Sequence, residues 1–269
     1  MLKGYSLPRT PSGRSSLVPA PPWHYVGDCL AVEFRTDPAA VEAFLPDRLE
    51  PAGADFGGRC CAFFVEWQFA TDEGEEYLDP VRSQYRETIF LVSARHRGEA
   101  VAYCPFIFVN QDISLMRGWI QGWPKMIGST WVTRTSALAS RAAPALAPGG
   151  RFGASLAHQD RRLADARVTL RETTRALPDP NFARAVNVRH FPNLTAGQHD
   201  RPALHELVQL RSRGVSISTI WKGDAQLTIH DHPFLELASL RPRAVLAGYR
   251  FSFAFTVDDL EVLEDLRRA

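Results

Sequence analysis

Apolar and polar positions alternate along most of this chain, and a period of two predicts strands. In 62–70, Val65, Trp67 and Phe69 fall on one face while Phe64, Glu66 and Gln68 fall on the other. Similar patterns over 28–35, 88–96, 100–109, 128–134, 165–173, 214–221, 225–230 and 243–256 predict further strands, with Arg97-Gly98 as a hairpin turn. One short helix is expected near the start. Asp37 supplies its N-cap, Pro38 fits the first helical position, Ala39 to Leu45 favour helix, and Pro46 ends it. Leu260, Leu263 and Leu266 stand at helical spacing and predict a second helix at the C-terminus. Residues 1–23 form an arm, rich in Pro, Ser and Arg from 5 onward, that reads as extended and draped over a neighbour. The Ala/Pro-rich stretch 137–150 reads as a surface excursion. No internal repeat or composition break divides the chain. The expectation is a single domain over 1–269, mainly β (α+β), with curved antiparallel sheets forming a barrel-like fold and a few helices.

Composition narrows the function classes. At 269 residues the chain can bury one large core, and 45% hydrophobic with 23% charged residues are ordinary globular values. A net charge of +1 gives no bulk attraction to nucleic acid or an anionic membrane. No apolar run reaches the ~18 residues of a membrane span, and the N-terminus lacks the apolar core of a signal peptide. A cytoplasmic protein that handles small molecules is therefore expected, with neither a nucleic-acid nor a membrane partner. Cys29, Cys60, Cys61 and Cys104 form no CxxC pair and read as buried, reduced thiols. There is no P-loop, GxGxxG, GxSxG or HExxH motif. His230-Asp231-His232 could present two imidazoles on one strand face, but no third ligand stands at a metal-like spacing. Neither a cofactor nor a metal is expected.

The segment with chemistry is 106–129. It sets Lys125 directly after Pro124, among Trp119, Trp123, Met126 and Ile127. An amine nucleophile must be neutral, yet at a pKa of ~10.4 only about one lysine in 2,500 is neutral at pH 7. Lowering the pKa to ~7 takes about 4–5 kcal/mol of differential destabilisation of the ammonium. Burial against apolar rings can supply it. The plainer alternative is a lysine that extends past the tryptophans to water.

Trp123-Pro124-Lys125-Met126-Ile127-Gly128 resembles the active-site lysine motif of the acetoacetate decarboxylase superfamily. Other landmarks follow in order along nearly the whole chain. They are Phe34-Arg35-Thr36-Asp37 with Pro46 and Leu49-Glu50, Val65-Glu66-Trp67, Tyr85-Arg86-Glu87, Pro180-Asn181-Phe182 and Trp221-Lys222-Gly223. The resemblance implies that Lys125 forms a Schiff base and that Glu66 and Glu87 are two buried acids. Two features depart from the decarboxylases: their second lysine is Met126 here, and their substrate-facing arginine falls on Gly27. The chain is more similar to the aldolase-dehydratase branch, which uses the same lysine on pyruvate-type 2-oxo acids. That pattern has a glutamine four residues before the lysine, here Gln121, and a tyrosine on a late strand, here Tyr249.

The expected catalytic set is Lys125, Glu66, Gln121, Tyr249 and Glu87, with Arg117 and Tyr85 binding substrate. Glu66 is the first choice of general acid/base because it shares a strand face with Phe64; the alternative is an outward-facing carboxylate. Glu87 could instead pair with Arg82 or Arg86 at the surface. Tyr249 lies in a stripe with Phe251, Phe253 and Phe255, which could equally be core. Arg117 could bind a carboxylate or pair with Asp112. The leading expectation is an imine-forming lyase that condenses an oxo acid with an aldehyde and dehydrates the product, or runs the reverse. A β-keto acid decarboxylase and a non-catalytic oxo-acid-binding protein are the alternatives. The resemblance, with the Pro-rich arm, also implies a homo-oligomer.

Overall fold

Most of the alternating segments form strands, many of them longer than the pattern suggests. The computed structural model describes residues 1–72 and 74–268. The chain first runs through β1 (Trp23–Arg35), α1 (Pro38–Glu42), β2 (Glu50–Pro51), β3 (Arg59–Thr71), α2 (Pro80–Ser83), β4 (Gln84–His96) and β5 (Glu99–Val109). Then follow α3 (Asp112–Gln121), β6 (Lys125–Ile127), β7 (Ser129–Val132), β8 (Arg151–His158) and β9 (Arg161–Thr174). The chain closes with β10 (Val186–Phe191), β11 (Leu204–Ile217), β12 (Ile220–Ile229) and β13 (Ala244–Asp265). As expected, Asp37 caps α1, its carboxylate accepting the Ala39 N–H at 3.1 Å, and Pro38 opens the helix.

One 13-stranded sheet carries the fold, in the order β6-β5-β4-β3-β1-β13-β12-β9-β8-β7, with β10 and β11 attached beside β13. β5 and β6 are parallel, whereas the long central ladders are antiparallel. The two edge strands are consecutive in the chain, β6 ending at Ile127 and β7 starting at Ser129. Gly128 therefore joins the two edges of the sheet. Thr88 and Thr130 hydroxyls meet at 2.7 Å, which holds β7 across β4. The sheet is thus rolled until its edges approach, but no ladder closes it among the described residues.

Rolling buries both faces of the middle strands, which is why Cys60 to Val65 read as an unbroken apolar run. One face packs Phe34, Phe64, Phe90 and Phe108 inside the roll. The other packs Phe63, Val65, Trp67, Ile89, Ile107 and Phe251. The second face carries the site. It is covered by α3, β11 and the 177–185 segment, all of which contribute residues to or around one cavity.

Two expectations are corrected. Leu260, Leu263 and Leu266 do not make a C-terminal helix; β13 runs as a strand to Asp265, and a 3-10 turn follows. Register shifts against β11 lie between Arg211 and Ser212 and between Leu207 and Val208. Each bulge inserts an unpaired residue, so the leucine spacing departs from a period of two. The predicted strand 214–221 breaks, with β11 ending at Ile217 and β12 starting at Ile220. The N-terminal arm folds against its own chain, with Val18 buried and the Tyr5 ring on Trp23 at 6.2 Å. The four cysteines are free and buried. Among the described residues no helix is long and apolar enough to cross a membrane.

Candidate active site

Strand parity and register assemble the site. Lys125 pairs with Ile107, Ile107 with Ile89, and Ile89 with Phe63, so the four form a row across β6, β5, β4 and β3. Glu87 pairs with Val65, and Tyr85 with Trp67. Odd-numbered residues of β3 and β4 therefore share the face to which Lys125 points. Tyr85, Glu87, Trp67, Lys125 and Gln121 line a cavity of about 150 Å³, as do Phe63, Phe182, Phe251, Phe253 and Phe255. A cavity of this size is large enough to hold a benzene-sized molecule.

Helix α3 fixes the lysine. It ends at Gly122, whose φ of +84° allows the left-handed reversal, and the N–H groups of Gly122 and Trp123 return to the last turn. The chain then doubles back through Pro124, so the Lys125 side chain crosses the helix at Gly118. A Cβ on Gly118 would overlap Cδ of Lys125. The Trp119 indole N–H donates to the Lys125 carbonyl at 2.9 Å and holds the short strand down.

Lys125 is 7% exposed. Its Nζ lies 2.5 Å from Oε1 of Glu87 and donates to Oγ of Ser114 at 2.9 Å. The other Glu87 oxygen accepts the Trp67 indole N–H at 3.0 Å. Burial lowers the pKa of Lys125; the Glu87 carboxylate opposes this, and the Arg117 cation reinforces it. Arg117 is 1% exposed, its guanidinium carbon 3.9 Å from the Phe69 ring centroid and 5.1 Å from that of Tyr25. Neither terminal nitrogen has a hydrogen-bond partner among the described residues. Gln121 Nε2 donates to the Tyr25 hydroxyl at 3.4 Å. Burial also raises the pKa of Tyr25 and Tyr85, so both phenols stay protonated. The assembly offers an amine nucleophile, a carboxylate that can move a proton, neutral donors and a buried cation suited to an organic anion.

The structure brings together Lys125, Glu87, Gln121 and Tyr85 around this cavity, with Arg117 behind its tyrosines. It does not bring in Glu66 or Tyr249. Glu66 has the opposite parity and faces outward, paired with Arg86 at 3.2 Å and Arg134 at 3.3 Å. Tyr249 has the right parity and shares β13 with Phe251, Phe253 and Phe255, which line the cavity, but it sits one step further along the strand. Its hydroxyl donates to the buried Glu33 at 2.8 Å, and it does not line the cavity. His230 and His232 also separate, His230 pairing with Asp165 at 2.8 Å and the His232 ring lying against His158 at 5.5 Å.

The two departures from the decarboxylase pattern acquire a physical reading. Met126 packs into the cluster inside the roll, on the face opposite Lys125. A lysine at 126 would leave from that opposite face, so its loss bears little on Lys125. At Gly27, an added Cβ would lie 2.6 Å from Cε3 of Trp67. The indole occupies that space and supplies the N–H bond to Glu87.

Sequence reasoning missed Ser114, Tyr25 and the indole of Trp67 as site residues, and it missed α3 altogether. Its signal was present but inverted. Ser114, Arg117 and Gln121 stand at i, i+3 and i+7, a helical face whose polar side chains point inward while Trp119 is 47% exposed.

A rolled β-sheet whose lysine and carboxylate share an apolar cavity defines a class of small-molecule enzyme. The chain belongs to the acetoacetate decarboxylase family, whose model matches residues 6–266. It is 25% identical to the acetoacetate decarboxylase of Chromobacterium violaceum, over 99% of this chain and 96% of that one. Among solved structures it is similar to the enduracididine biosynthesis enzyme MppR complexed with the condensation product of pyruvate and imidazole 4-carboxaldehyde. That match has a TM-score of 0.91 and 35% identity over 99% of this chain and 98% of the other. MppR complexed with pyruvate gives 0.90 and 34%, over 98% and 99%. An acetoacetate decarboxylase-like enzyme from Sphingomonas wittichii RW1 gives 0.88 and 26%, over 98% and 100%.

Proposed function

We propose that the protein is a Schiff-base-forming lyase that condenses a pyruvate-type 2-oxo acid with an aldehyde and dehydrates the product, or runs the reverse. The observation that carries this reading is the buried Lys125 against Glu87, beside an Arg117 whose terminal nitrogens have no hydrogen-bond partner among the described residues. An apolar burial of Lys125 favours its neutral form, and Glu87 is the group within reach to take its proton. The similarity to MppR bound to pyruvate and to a pyruvate–aldehyde condensation product supports the substrate class.

In this reading Nζ of Lys125 attacks the keto carbon and water leaves, giving an imine. The Arg117 cation draws the carboxylate toward Gln121 and Tyr25. Glu87 accepts a methyl proton, the enamine adds to the aldehyde carbon, and the new alkoxide takes a proton. Loss of water across the new bond and hydrolysis of the imine release an unsaturated 2-oxo acid and restore Lys125. Small oxo acids and aldehydes are then its partners, with no cofactor needed.

A second reading, β-keto acid decarboxylation, draws on the family and on the Chromobacterium violaceum relative. Two assays separate them. Incubation with pyruvate and an aldehyde produces a conjugated oxo acid, read by its near-ultraviolet absorbance, whereas the decarboxylase releases carbon dioxide from acetoacetate. Acetoacetate turnover with no enone from any aldehyde rejects the first reading. Reversible oxo-acid binding without adduct or turnover marks a binding protein.

A further inference from the structure

We propose that Ser114 is a further catalytic residue, whose hydroxyl oxygen holds one hydrogen of the Lys125 amine and then the single N–H of the imine. The amine lone pair is thereby left for the cavity, and Glu87 is left free for the substrate's protons. This deepens the imine-forming reading and rests on it.

Helix and lysine are built around the contact. The Lys125 side chain runs back along α3, its Cδ filling the place where a Cβ of Gly118 would stand. Its amine ends at Ser114, about one turn nearer the helix start. Ser114 is fully buried in the first turn, where a hydroxyl without a partner would be costly. It does not line the cavity, whereas Lys125 and Glu87 do. It therefore grips Nζ from the helix, outside the space a substrate would fill. The serine hydrogen is spent on the oxygen of Tyr85, so Ser114 accepts from Nζ and does not block its lone pair.

The two oxygens that face the amine are not equivalent. The Ser114 contact at 2.9 Å is an aligned hydrogen bond. Oε1 of Glu87 is nearer, at 2.5 Å, yet it has no aligned hydrogen-bond partner among the described residues. The other Glu87 oxygen is held by the Trp67 indole at 3.0 Å. Glu87 can exchange a proton with Nζ, while the uncharged serine fixes where the nitrogen points. An uncharged amine has two hydrogens and one lone pair. With one hydrogen on Ser114 and the other toward Glu87, the lone pair takes the remaining direction.

The proton count shows why one carboxylate suffices. Glu87 takes a first hydrogen from the ammonium, and Nζ adds to the keto carbon. The keto oxygen takes a second hydrogen from nitrogen, Glu87 returns the first, and the oxygen leaves as water. The nitrogen keeps one hydrogen as the protonated imine. Held on Ser114, that hydrogen fixes the plane of the C=N bond. Glu87, a carboxylate again, then takes a methyl proton and the enamine forms. Without Ser114 the N–H would turn to Glu87 and occupy the base.

The test compares the wild type with Ser114→Ala and with Ser114→Cys, which keeps the volume but accepts poorly. Borohydride trapping of pyruvate is followed against pH and pyruvate concentration, and circular dichroism checks the fold. Deuterium uptake into the pyruvate methyl group reports enamine formation without an aldehyde. In both variants the trapping rate on its high-pH plateau is expected to fall roughly tenfold or more, the loss of a hydrogen bond to a charged group. The half-saturating pyruvate concentration stays within about twofold, since Ser114 does not line the cavity. The acidic limb moves to lower pH, because a bond that also favours the ammonium is gone. Deuterium uptake per adduct also falls. A serine that only braced the helix or tuned the charge would leave the plateau and the deuterium ratio unchanged. That outcome in folded variants overturns the proposal and leaves the imine reading standing. A folded wild type that traps no pyruvate overturns both.

Discussion

Replacing Arg117 by methionine separates a substrate-binding cation from a structural brace. The guanidinium is 1% exposed, with no hydrogen-bond partner for its terminal nitrogens among the described residues. Desolvating such a cation costs several kcal/mol. Against that, a buried cation–π contact of the kind made with Phe69 returns about 2 kcal/mol. Methionine fills similar volume with no charge, so the unfolding free energy should stay within about 2 kcal/mol of the wild type or rise. Substrate binding should respond differently. Acting from behind Tyr25 and Tyr85, the cation reaches a carboxylate through space, and about 8 Å at an effective dielectric of ~20 gives about 2 kcal/mol, so the half-saturating pyruvate concentration should rise roughly 30-fold. Removing the cation also lifts one cause of the lowered Lys125 pKa. The ammonium then persists to higher pH, and the acidic limb of the trapping profile moves upward. The assay is borohydride-trapped adduct against pyruvate concentration and pH, with urea unfolding in parallel. A loss of about 3–5 kcal/mol of stability with unchanged pyruvate dependence would refute the reasoning and make Arg117 a brace.

Other substitutions test the placement of the remaining residues. Glu87→Gln should cut turnover about 10²- to 10⁴-fold, as expected for a lost acid/base, whereas Glu66→Gln on the outer face should change it less than about twofold. The opposite ranking would return the catalytic role to Glu66. Gly118→Ala gains up to about 1 kcal/mol of helix propensity, yet it pushes on the Lys125 side chain. Trapping should fall at least tenfold in a protein with unchanged circular dichroism. Tyr249→Phe removes the donor to buried Glu33 and should cost about 1–3 kcal/mol in urea unfolding, while adduct formation persists.

Much of the site was legible because a strand's period of two is simple. Once Trp67 is known to face the interior, Glu66 must face away, and register to Tyr85 makes the odd residues of β4 face inward too. That deduction needs the register and the buried face, and both faces of β3 are apolar up to Val65. Phe64 was therefore a poor guide to where Glu66 would point. Tyr249 failed on its place along β13 rather than on parity: Phe251, Phe253 and Phe255 on the same face line the cavity, while the Tyr249 hydroxyl turns to Glu33. Helix α3 was hidden because its buried face is polar, as a site demands, and its exposed face carries a tryptophan. The C-terminal leucines misled because bulges in β13 disturb the period of two. The lysine was found from its neighbours, but the groups that set its chemistry, Ser114 and Arg117, come from the helix that the pattern concealed.

The most direct test of the central claim is the mass of the intact protein after incubation with pyruvate and borohydride, followed by peptide mapping. The chain has three lysines, at 3, 125 and 222, so the assignment is unambiguous. The account predicts one reduced pyruvate adduct, on the peptide containing Lys125, absent from Lys125→Ala and formed faster as pH rises toward the lowered pKa. No adduct in a folded protein, or an adduct on Lys222 that survives Lys125→Ala, contradicts it.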